Sequence, residues 1–318
     1  MDLPEVMDFL KSHSREGDPH GVCIKTVNLA TTNRSHWLEV TRQLEPMKET
    51  LLSAAAQGRW LFVTPRRNVE EFRLRFPDFY RRPGTTRVVV DRETYDIDMK
   101  PGETVVFSRR AGKFRPGPAR RAGLAKTSEL YGPIKQAYFS PFIMVYGTRA
   151  HDERGHMFAD MTLHGARTQA FRWWRRGNGY VDVIPDTCVT DSIIADFNLI
   201  LFGTSDCNRF LERIERHLPI KARWGKPLRE FSIAGEKVRG AAGAMFIYPN
   251  PLNPDRFVVV VEPGWRTGLF NPFYAGAGLP DYIIYSGSEE TMGWAGVLCT
   301  GFFDADWQVD KKLMFLAE

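Results

Sequence analysis

Residues 198–218, NLILFGTSDCNRFLERIERHL, constrain the fold of this chain more than any other stretch. Residues 199–202 are an unbroken apolar run, which is typical of a strand covered on both faces. Gly203 ends the run, and the Thr-Ser-Asp sequence after it consists of residue types that cap helices. Apolar residues then recur at helical spacing as far as Leu218. The stretch therefore predicts a strand, a tight turn and an amphipathic helix, the central unit of a doubly wound α/β domain.

The rest of the second half follows the same alternation of strands and helices. Strands are predicted at 142–146, 181–184, 244–248, 257–261 and 282–285, helices at 152–175 and 189–196, and a hairpin at 231–238. Alternating strands and helices imply a mostly parallel sheet with right-handed crossovers. We therefore predict a flavodoxin-like α/β domain over residues 132–318.

The first half has a different period. Short runs alternate apolar and polar residues, most clearly at 72–76, and Gly or Pro turn signals separate them. This pattern predicts an N-terminal helix or extension over 1–20 and an antiparallel β-sandwich over 21–110. Residues 111–131 are rich in Arg, Gly, Pro and Ala, and we predict that they form a basic linker between the two domains.

Charge and cysteine content exclude several classes of function. The net charge of +5 permits an acidic partner but does not argue for one. The basic stretch 108–130 contains a single aromatic residue, Phe114, which argues against nucleic acid. Cys23, Cys188, Cys207 and Cys299 lie far apart without a CxxC pair, so no metal site or disulfide framework is expected.

No signal peptide or membrane span is recognisable. The first residues lack an apolar core, and no run approaches the roughly 18 apolar residues of a spanning helix. The chain as written is expected in the cytoplasm, or in the periplasm or outside the cell if it is part of a larger secreted protein.

Two loops are the candidate ligand site. The turn after residue 202 and the Tyr-Pro-Asn-Pro-Leu-Asn-Pro loop at 248–254 both follow predicted strands, and the carboxyl ends of parallel strands meet at one edge of a sheet. Three prolines make the second loop rigid. We expect a polar feature at that edge, although the same residues serve equally well as caps and turns. Its lining residues would be Gly203, Thr204, Ser205, Asn208, Tyr248, Asn250 and Asn253.

No catalytic group is predicted. Residues 203–207 half-match the G-x-S-x-G nucleophile elbow, but the only histidine after Ser205 is His217 in the same predicted helix, roughly 18 Å away. His156, Asp160 and His164 share one helical face, yet the two histidines are about 12 Å apart along the axis, too far for one metal ion. No metal or other cofactor is therefore expected.

A cluster of aromatic and basic residues lies at the C-terminal end of the long helix predicted over 152–175. Phe171, Trp173 and Trp174 stand among arginines, a mixture found in binders of glycans or nucleic acids. A helix end with its tryptophan anchored in the core and its arginines directed outward has the same composition.

The chain resembles a bacterial protein family. The second half is similar to the C-terminal module of large bacterial prolyl-oligopeptidase-like serine hydrolases and esterases, and the first half resembles the β segment before that module. In the second half the matching residues are Gly132-Pro133-Ile134, Phe142, Asn198, Phe202-Gly203, Asn208-Arg209, Leu218-Pro219, the loop from Tyr248 to Pro254, Leu279 to Tyr282, Gly301 to Phe303 and Trp307. In the first half they are Asn28, Asn33-Arg34, His36-Trp37 and the stretch from Val69 to Leu74.

What the resemblance implies is an accessory role. In that family the Ser-Asp-His triad belongs to a preceding α/β-hydrolase domain, so no triad residue is carried over to this chain. The first hypothesis is a non-catalytic binding or assembly protein that holds a partner hydrolase, a glycan or a peptide, alone or as a homo-oligomer. The alternatives are a hydrolase with an unrecognised site near residues 203–208, and a nucleotide or flavin binder at Gly203. The last lacks both G-x-G-x-x-G and a P-loop lysine.

Overall fold

The computed structural model describes residues 3–13, 17–80, 82–100, 102–119, 123–149, 155–224, 229–262, 279–288 and 293–317. Contacts within the chain divide it into two units, Met1–Arg120 and Arg121–Glu318. None of the described helices is long and apolar enough to cross a membrane.

The first unit begins with helix α1, Pro4–Ser12, whose side chains are all exposed. Two five-stranded sheets follow, in the orders β1-β4-β5-β7-β8 and β10-β9-β6-β3-β2. Neighbouring strands are antiparallel except β5 and β7, which are parallel. The strands are β1 Gly21–Thr26, β2 Arg34–Ser35, β3 Leu38–Gln43, β4 Thr50–Gln57, β5 Trp60–Arg67, β6 Val69–Arg75, β7 Gly84–Val90, β8 Glu93–Met99, β9 Thr104–Arg110 and β10 Lys113–Pro116.

The two sheets share a core. Tyr95 of β8 packs edge-on against Phe107 of β9, with 5.5 Å between ring centroids, and its hydroxyl donates to the carbonyl of Phe114. Because β10 pairs with β9, residues 113–116 belong to this unit, and their assignment to a linker is wrong. A hairpin can absorb an Arg- and Gly-rich sequence when its glycines occupy the turn, as Gly112 does at φ +80°.

The second unit is built on an eight-stranded sheet in the order β12-β11-β13-β18-β17-β19-β20-β21. A separate small antiparallel sheet, β14-β15-β16, packs against it through contacts of β15 with β17. The strands are β11 Phe142–Tyr146, β12 Val183–Pro185, β13 Asn198–Phe202, β14 Ile220–Trp224, β15 Arg229–Ile233, β16 Glu236–Val238, β17 Ala241–Asn250, β18 Asn253–Glu262, β19 Tyr282–Ser286, β20 Val297–Phe303 and β21 Val309–Leu316. The helices are α2 Gly155–Gly177, α3 Asp191–Asp196 and α4 Arg209–Ile214, with short 3₁₀ turns at Ile134–Tyr138, Asp186–Cys188, Glu215–His217 and Gly293–Gly296.

The prediction of a mostly parallel sheet is wrong. Among the described strands of this sheet, the parallel pairs are β11 with β12, β11 with β13 and β13 with β18, and the remaining strand pairs are antiparallel. The reversal arises at the turn between Asn250 and Asn253, where β17 and β18 form a hairpin. The unit is thus a mixed α/β structure, rich in strands.

Strand β13 lies at the centre of the parallel part, as its sequence predicts. All five of its residues are buried, because β11 and β18 flank it and helices α2 and α3 cover the parallel strands. Helix α4 begins later than predicted, at Arg209. Its cap is Asn208, whose side chain accepts from the Leu211 N–H, rather than Thr204, Ser205 or Asp206.

A buried ion pair joins the start of the unit to the residue that precedes β19. Lys126 Nζ donates to Asp281 Oδ2 at 2.5 Å, and both side chains are almost fully buried. Asp281 Oδ2 also accepts from the Phe303 N–H at 2.9 Å. The ammonium lies 4.9 Å from the centroid of the Trp307 ring, so a cation–π contact adds to the pairing.

Candidate functional site

The predicted site residues fall into two groups, which lie at opposite ends of the strands of the eight-stranded sheet. Each end of the strands is called an edge of the sheet. Strand β13 is parallel to β18, and β17 is antiparallel to β18. The carboxyl end of β17 at Asn250 is therefore on the edge where β13 begins, not where β13 ends at Phe202. The expected common site for the two loops is wrong, because the hairpin between β17 and β18 reverses one of the two strands.

The turn after β13 is closed on itself. Thr204 donates its N–H to Cys207 Sγ at 3.2 Å, and the Asn208 N–H donates to the Thr204 carbonyl at 2.8 Å. A Cβ at Gly203, where φ is +110°, would meet Cys207 Sγ at 2.6 Å. The glycine thus makes room for a thiol of the chain itself, and its close packing leaves no cradle for a phosphate.

An internal carboxylate occupies the start of helix α4. Asp186, which is buried, accepts from the Arg209 N–H at 2.7 Å through Oδ2 and from the Thr148 hydroxyl at 2.6 Å through Oδ1. A carboxylate at a helix N-terminus is favourable because free N–H groups and the helix dipole point at it. Asp186 therefore takes the position that an anionic ligand of this edge would need. Sequence reasoning missed Asp186, which precedes β13 by a short helix and has no motif around it.

Ser205 and the other candidate catalytic groups are not brought together. Ser205 is buried, and no hydrogen bond joins it to a histidine in the part of the chain that the structure describes. His217 Nε2 instead accepts from Arg216 Nε at 2.9 Å. The described residues also hold no group of three or more His, Cys, Asp or Glu that could bind a metal ion. The side chain of His156 lies outside the described residues.

The asparagines of the second loop tie the hairpin to neighbouring elements. Asn250 Oδ1 accepts from the Leu252 N–H at 3.0 Å, and Asn253 Nδ2 donates to the Ile194 carbonyl at 2.9 Å. Tyr248 packs edge-on against Phe303 and Trp307, and burial raises the pKa of its hydroxyl. Asn253 also lines a shallow cleft of about 380 Å³. These are turn and packing roles.

A second cleft on the same edge is lined by aromatic rings. It has a volume of about 410 Å³ and lies where β11 and β12 begin. Ring centroids are 5.0 Å apart between Tyr138 and Phe142 and again between Phe142 and Trp173, with planes close to perpendicular. The sequence is compatible with two roles for Trp173, a core anchor or a binding residue. In the structure its side chain is half-buried and forms part of the wall of this cleft.

The first unit exposes a separate aromatic surface. Trp60 and Phe62 on β5 are 39% and 40% exposed, with rings 5.9 Å apart and nearly parallel. The guanidinium of Arg87 lies over the Trp60 ring, 4.6 Å from its centroid. We call Trp60, Phe62 and Arg87 the aromatic face. Its signal in the sequence is that β5 is apolar on both faces, since Leu61 and Val63, which alternate with these two residues, are buried on the other face.

Comparisons with protein-family models, with curated proteins and with solved structures find no match to this chain.

Proposed function

We propose that this chain is a non-catalytic binding or assembly protein that docks through its aromatic face onto a protein partner. The partner class is the catalytic domain or subunit of a serine hydrolase, which is what the resemblance implies. The observation that carries the proposal is the exposure of Trp60 and Phe62 in the middle of a sheet, where a solvated face normally presents polar side chains.

The composition and rigidity of the aromatic face suit a protein interface. Trp and Arg are the residue types most enriched among energetically dominant interface positions. Strand β5 lies between β4 and β7, so Trp60 is carried by a central strand and not by a loop. Arg87 is the cross-strand neighbour of Trp60 and is held by Asp96, whose Oδ1 accepts from Arg87 Nε at 2.8 Å. Little side-chain entropy remains to be lost on binding.

The hydrogen bonding of the backbone N–H groups at the carboxyl end of β13 supports a non-catalytic role. The Thr204 N–H in the turn after β13 is engaged by Cys207, and the Arg209 N–H at the start of α4 is engaged by Asp186. A hydrolase site at that edge would need free donors facing a substrate. The same engagement argues against a nucleotide or flavin at Gly203.

The flavodoxin-like character of the second unit belongs to the same proposal. Its support is the order of the parallel strands, in which β12 lies outside β11 and β13 follows on the other side. That arrangement corresponds to the 2-1-3-4 order of flavodoxin-like sheets.

Binding to a purified hydrolase domain tests the proposal. The probe is the α/β-hydrolase domain of a prolyl-oligopeptidase-like enzyme whose own β segment and C-terminal module have been removed, titrated calorimetrically with this chain. We expect saturable binding that Trp60→Ser and Arg87→Ser each weaken by about tenfold. Phe171→Ser, which changes an exposed aromatic residue of the other unit, is the matched control and should leave the affinity unchanged.

Two outcomes would overturn the proposal. One is a binding result, either no binding by the unmodified chain or an equal loss of affinity in Trp60→Ser and Phe171→Ser. The other is labelling of the chain by a fluorophosphonate probe that disappears in Ser205→Ala, because it would show a reactive serine.

A further inference from the structure

We propose that the aromatic cleft of the second unit is a docking groove for an extended, proline-containing peptide segment that carries a basic residue. The site is separate from the aromatic face, which belongs to the first unit. It is lined by Tyr138, Phe139, Phe142, Trp173, Tyr180 and Asp182.

The cleft exposes rings that a folded chain would ordinarily cover. Phe139 is 64% exposed and Tyr180 is 86% exposed, and both lie on its rim. Deeper in, Phe142, Trp173 and Phe197 are half-buried. A concave site with aromatic walls and few polar groups has the composition of ligand pockets in general.

Local sequence holds the main wall in place. The end of α2 and the loop after it lie close to the Trp173 indole, and a Cβ at Gly179 would lie 2.7 Å from Trp173 Nε1. A Cβ at Gly177 would meet the six-membered ring of the same indole at 3.2 Å. The two glycines thus allow the backbone to lie against the ring. Trp173 is fixed before any ligand arrives, which lowers the entropy lost on binding.

The ring orientations favour a peptide over a sugar. The planes of Tyr138 and Phe142 meet at 71°, and those of Phe142 and Trp173 at 82°. Perpendicular rings make ridges and hollows, whereas a pyranose stacks best on a flat platform. Proline rings project at regular intervals from a polyproline II helix and fill such hollows, and this helix is already extended before it binds.

Charge on the rim selects a basic residue in the ligand. Asp182 is exposed, and within the described residues no ion pair joins it to a basic side chain. Its partner there is the Tyr180 hydroxyl, and that hydrogen bond raises the pKa of Tyr180. A carboxylate beside an aromatic groove is placed to pair with an arginine or lysine that flanks the prolines.

Calorimetric titration with defined peptides tests the inference. The probe is a short synthetic peptide with proline at every third position and one arginine at its end, compared with the same peptide carrying norleucine in place of arginine. We expect saturable binding of the arginine peptide, weakened about tenfold by Tyr180→Ala and by Phe139→Ala. Asp182→Asn should weaken the arginine peptide about fivefold and leave the norleucine peptide unchanged.

Controls separate a specific groove from general stickiness. Phe62→Ala removes a 40% exposed ring from the first unit and should not alter peptide affinity. Circular dichroism checks that Tyr180→Ala and Phe139→Ala remain folded, as expected for exposed positions. The inference is overturned if neither peptide binds, or if Phe62→Ala weakens peptide binding as much as Tyr180→Ala does. It is also overturned if Tyr180→Ala weakens the binding of a neutral oligosaccharide but not the binding of the peptide.

Discussion

Tyr282 on β19 lies directly across from Gly301 on β20, and a Cβ at position 301 would meet the Tyr282 Oη at 2.4 Å. The same arrangement recurs one strand away, where Tyr285 of β19 covers Gly243 of β17. The tyrosine ring shields a strand position that has no side chain, and the glycine admits a ring that no other residue would admit.

Replacement of Gly301 by alanine should therefore destabilise the second unit. The new methyl would also approach the Leu313 carbonyl oxygen at 2.3 Å, so rotation of Tyr282 alone does not relieve the clash. We expect Gly301→Ala to lower the free energy of unfolding by about 1–3 kcal/mol, as overpacking does. Urea-induced unfolding measures this. Gly21→Ala, a strand glycine with nothing within 4 Å of its Cβ position, is the control and should change little.

The hydroxyls of Tyr282 and Tyr285 differ in hydrogen bonding, and replacing each tyrosine by phenylalanine measures that difference. Tyr285 Oη donates to the Glu262 carbonyl at 2.8 Å, whereas Tyr282 Oη is buried without a hydrogen-bond partner in the described structure. Tyr285→Phe should lower the free energy of unfolding by about 1 kcal/mol. Tyr282→Phe should be neutral or slightly stabilising, because it removes a desolvated hydroxyl. Equal losses in both variants would contradict this.

The buried pair of Lys126 and Asp281 should show strong coupling in a double-mutant cycle. Lys126→Met leaves a carboxylate buried and unpaired, which destabilises proteins by about 3–5 kcal/mol. Asp281→Asn added to Lys126→Met removes that charge while keeping an acceptor for the Phe303 N–H. We expect the double variant to be more stable than Lys126→Met alone. A double variant that loses the sum of the two single effects would show that the pair is not coupled.

The cysteines should fall into two classes of reactivity. Cys23 and Cys188 are exposed and Cys207 and Cys299 are buried, so a thiol reagent should modify the first two quickly and the others only on unfolding. Mass spectrometry after timed alkylation identifies the modified residues. Rapid labelling of Cys207 in the folded chain would contradict the closed turn after β13.

Cys299 also predicts a dependence of stability on alkaline pH. Burial raises the pKa of its thiol from 9.0 to about 11, so the folded state keeps this proton when the unfolded state has lost it. The contribution of this thiol to stability is complete below pH 9.0, the pKa of the unfolded state. It is lost as the pH rises through the range from there to about 11. Urea midpoints measured across it should fall with pH, and Cys299→Ala should reduce the slope.

The division of the chain predicts where trypsin cuts first. Contacts separate the units between Arg120 and Arg121, which are themselves trypsin sites. Arg110 and Lys113 lie in the paired hairpin of β9 and β10, which should protect them. We expect two fragments that separate at residue 120 or 121, and mass spectrometry identifies the ends. Initial cleavage at Lys113 would contradict the assignment of β10 to the first unit.

Sequence alone determined the local elements of this protein. The apolar run before Gly203 predicted a buried strand, and β13 is buried at every residue. The alternation at 72–76 predicted a strand that β6 largely confirms, because burial of one face of a strand requires a period of two. Strand β4 was missed, since its Ala-rich sequence has one β-branched residue, Thr50, and no turn signal except the following Gly58.

Only the tertiary structure decided which loops meet. The Tyr248–Pro254 stretch reads as a rigid loop after a strand whether that strand runs parallel or antiparallel to β13, because pattern and turn chemistry are local and strand direction is set by pairing with distant residues. The hairpin at Asn250–Asn253 reverses β17 and moves Asn250 to the edge opposite Gly203. For the same reason Asp186 comes to the start of α4, and Tyr180 reaches the rim of the cleft that begins at Tyr138. These juxtapositions join residues far apart in the chain, so no periodicity in the sequence encodes them.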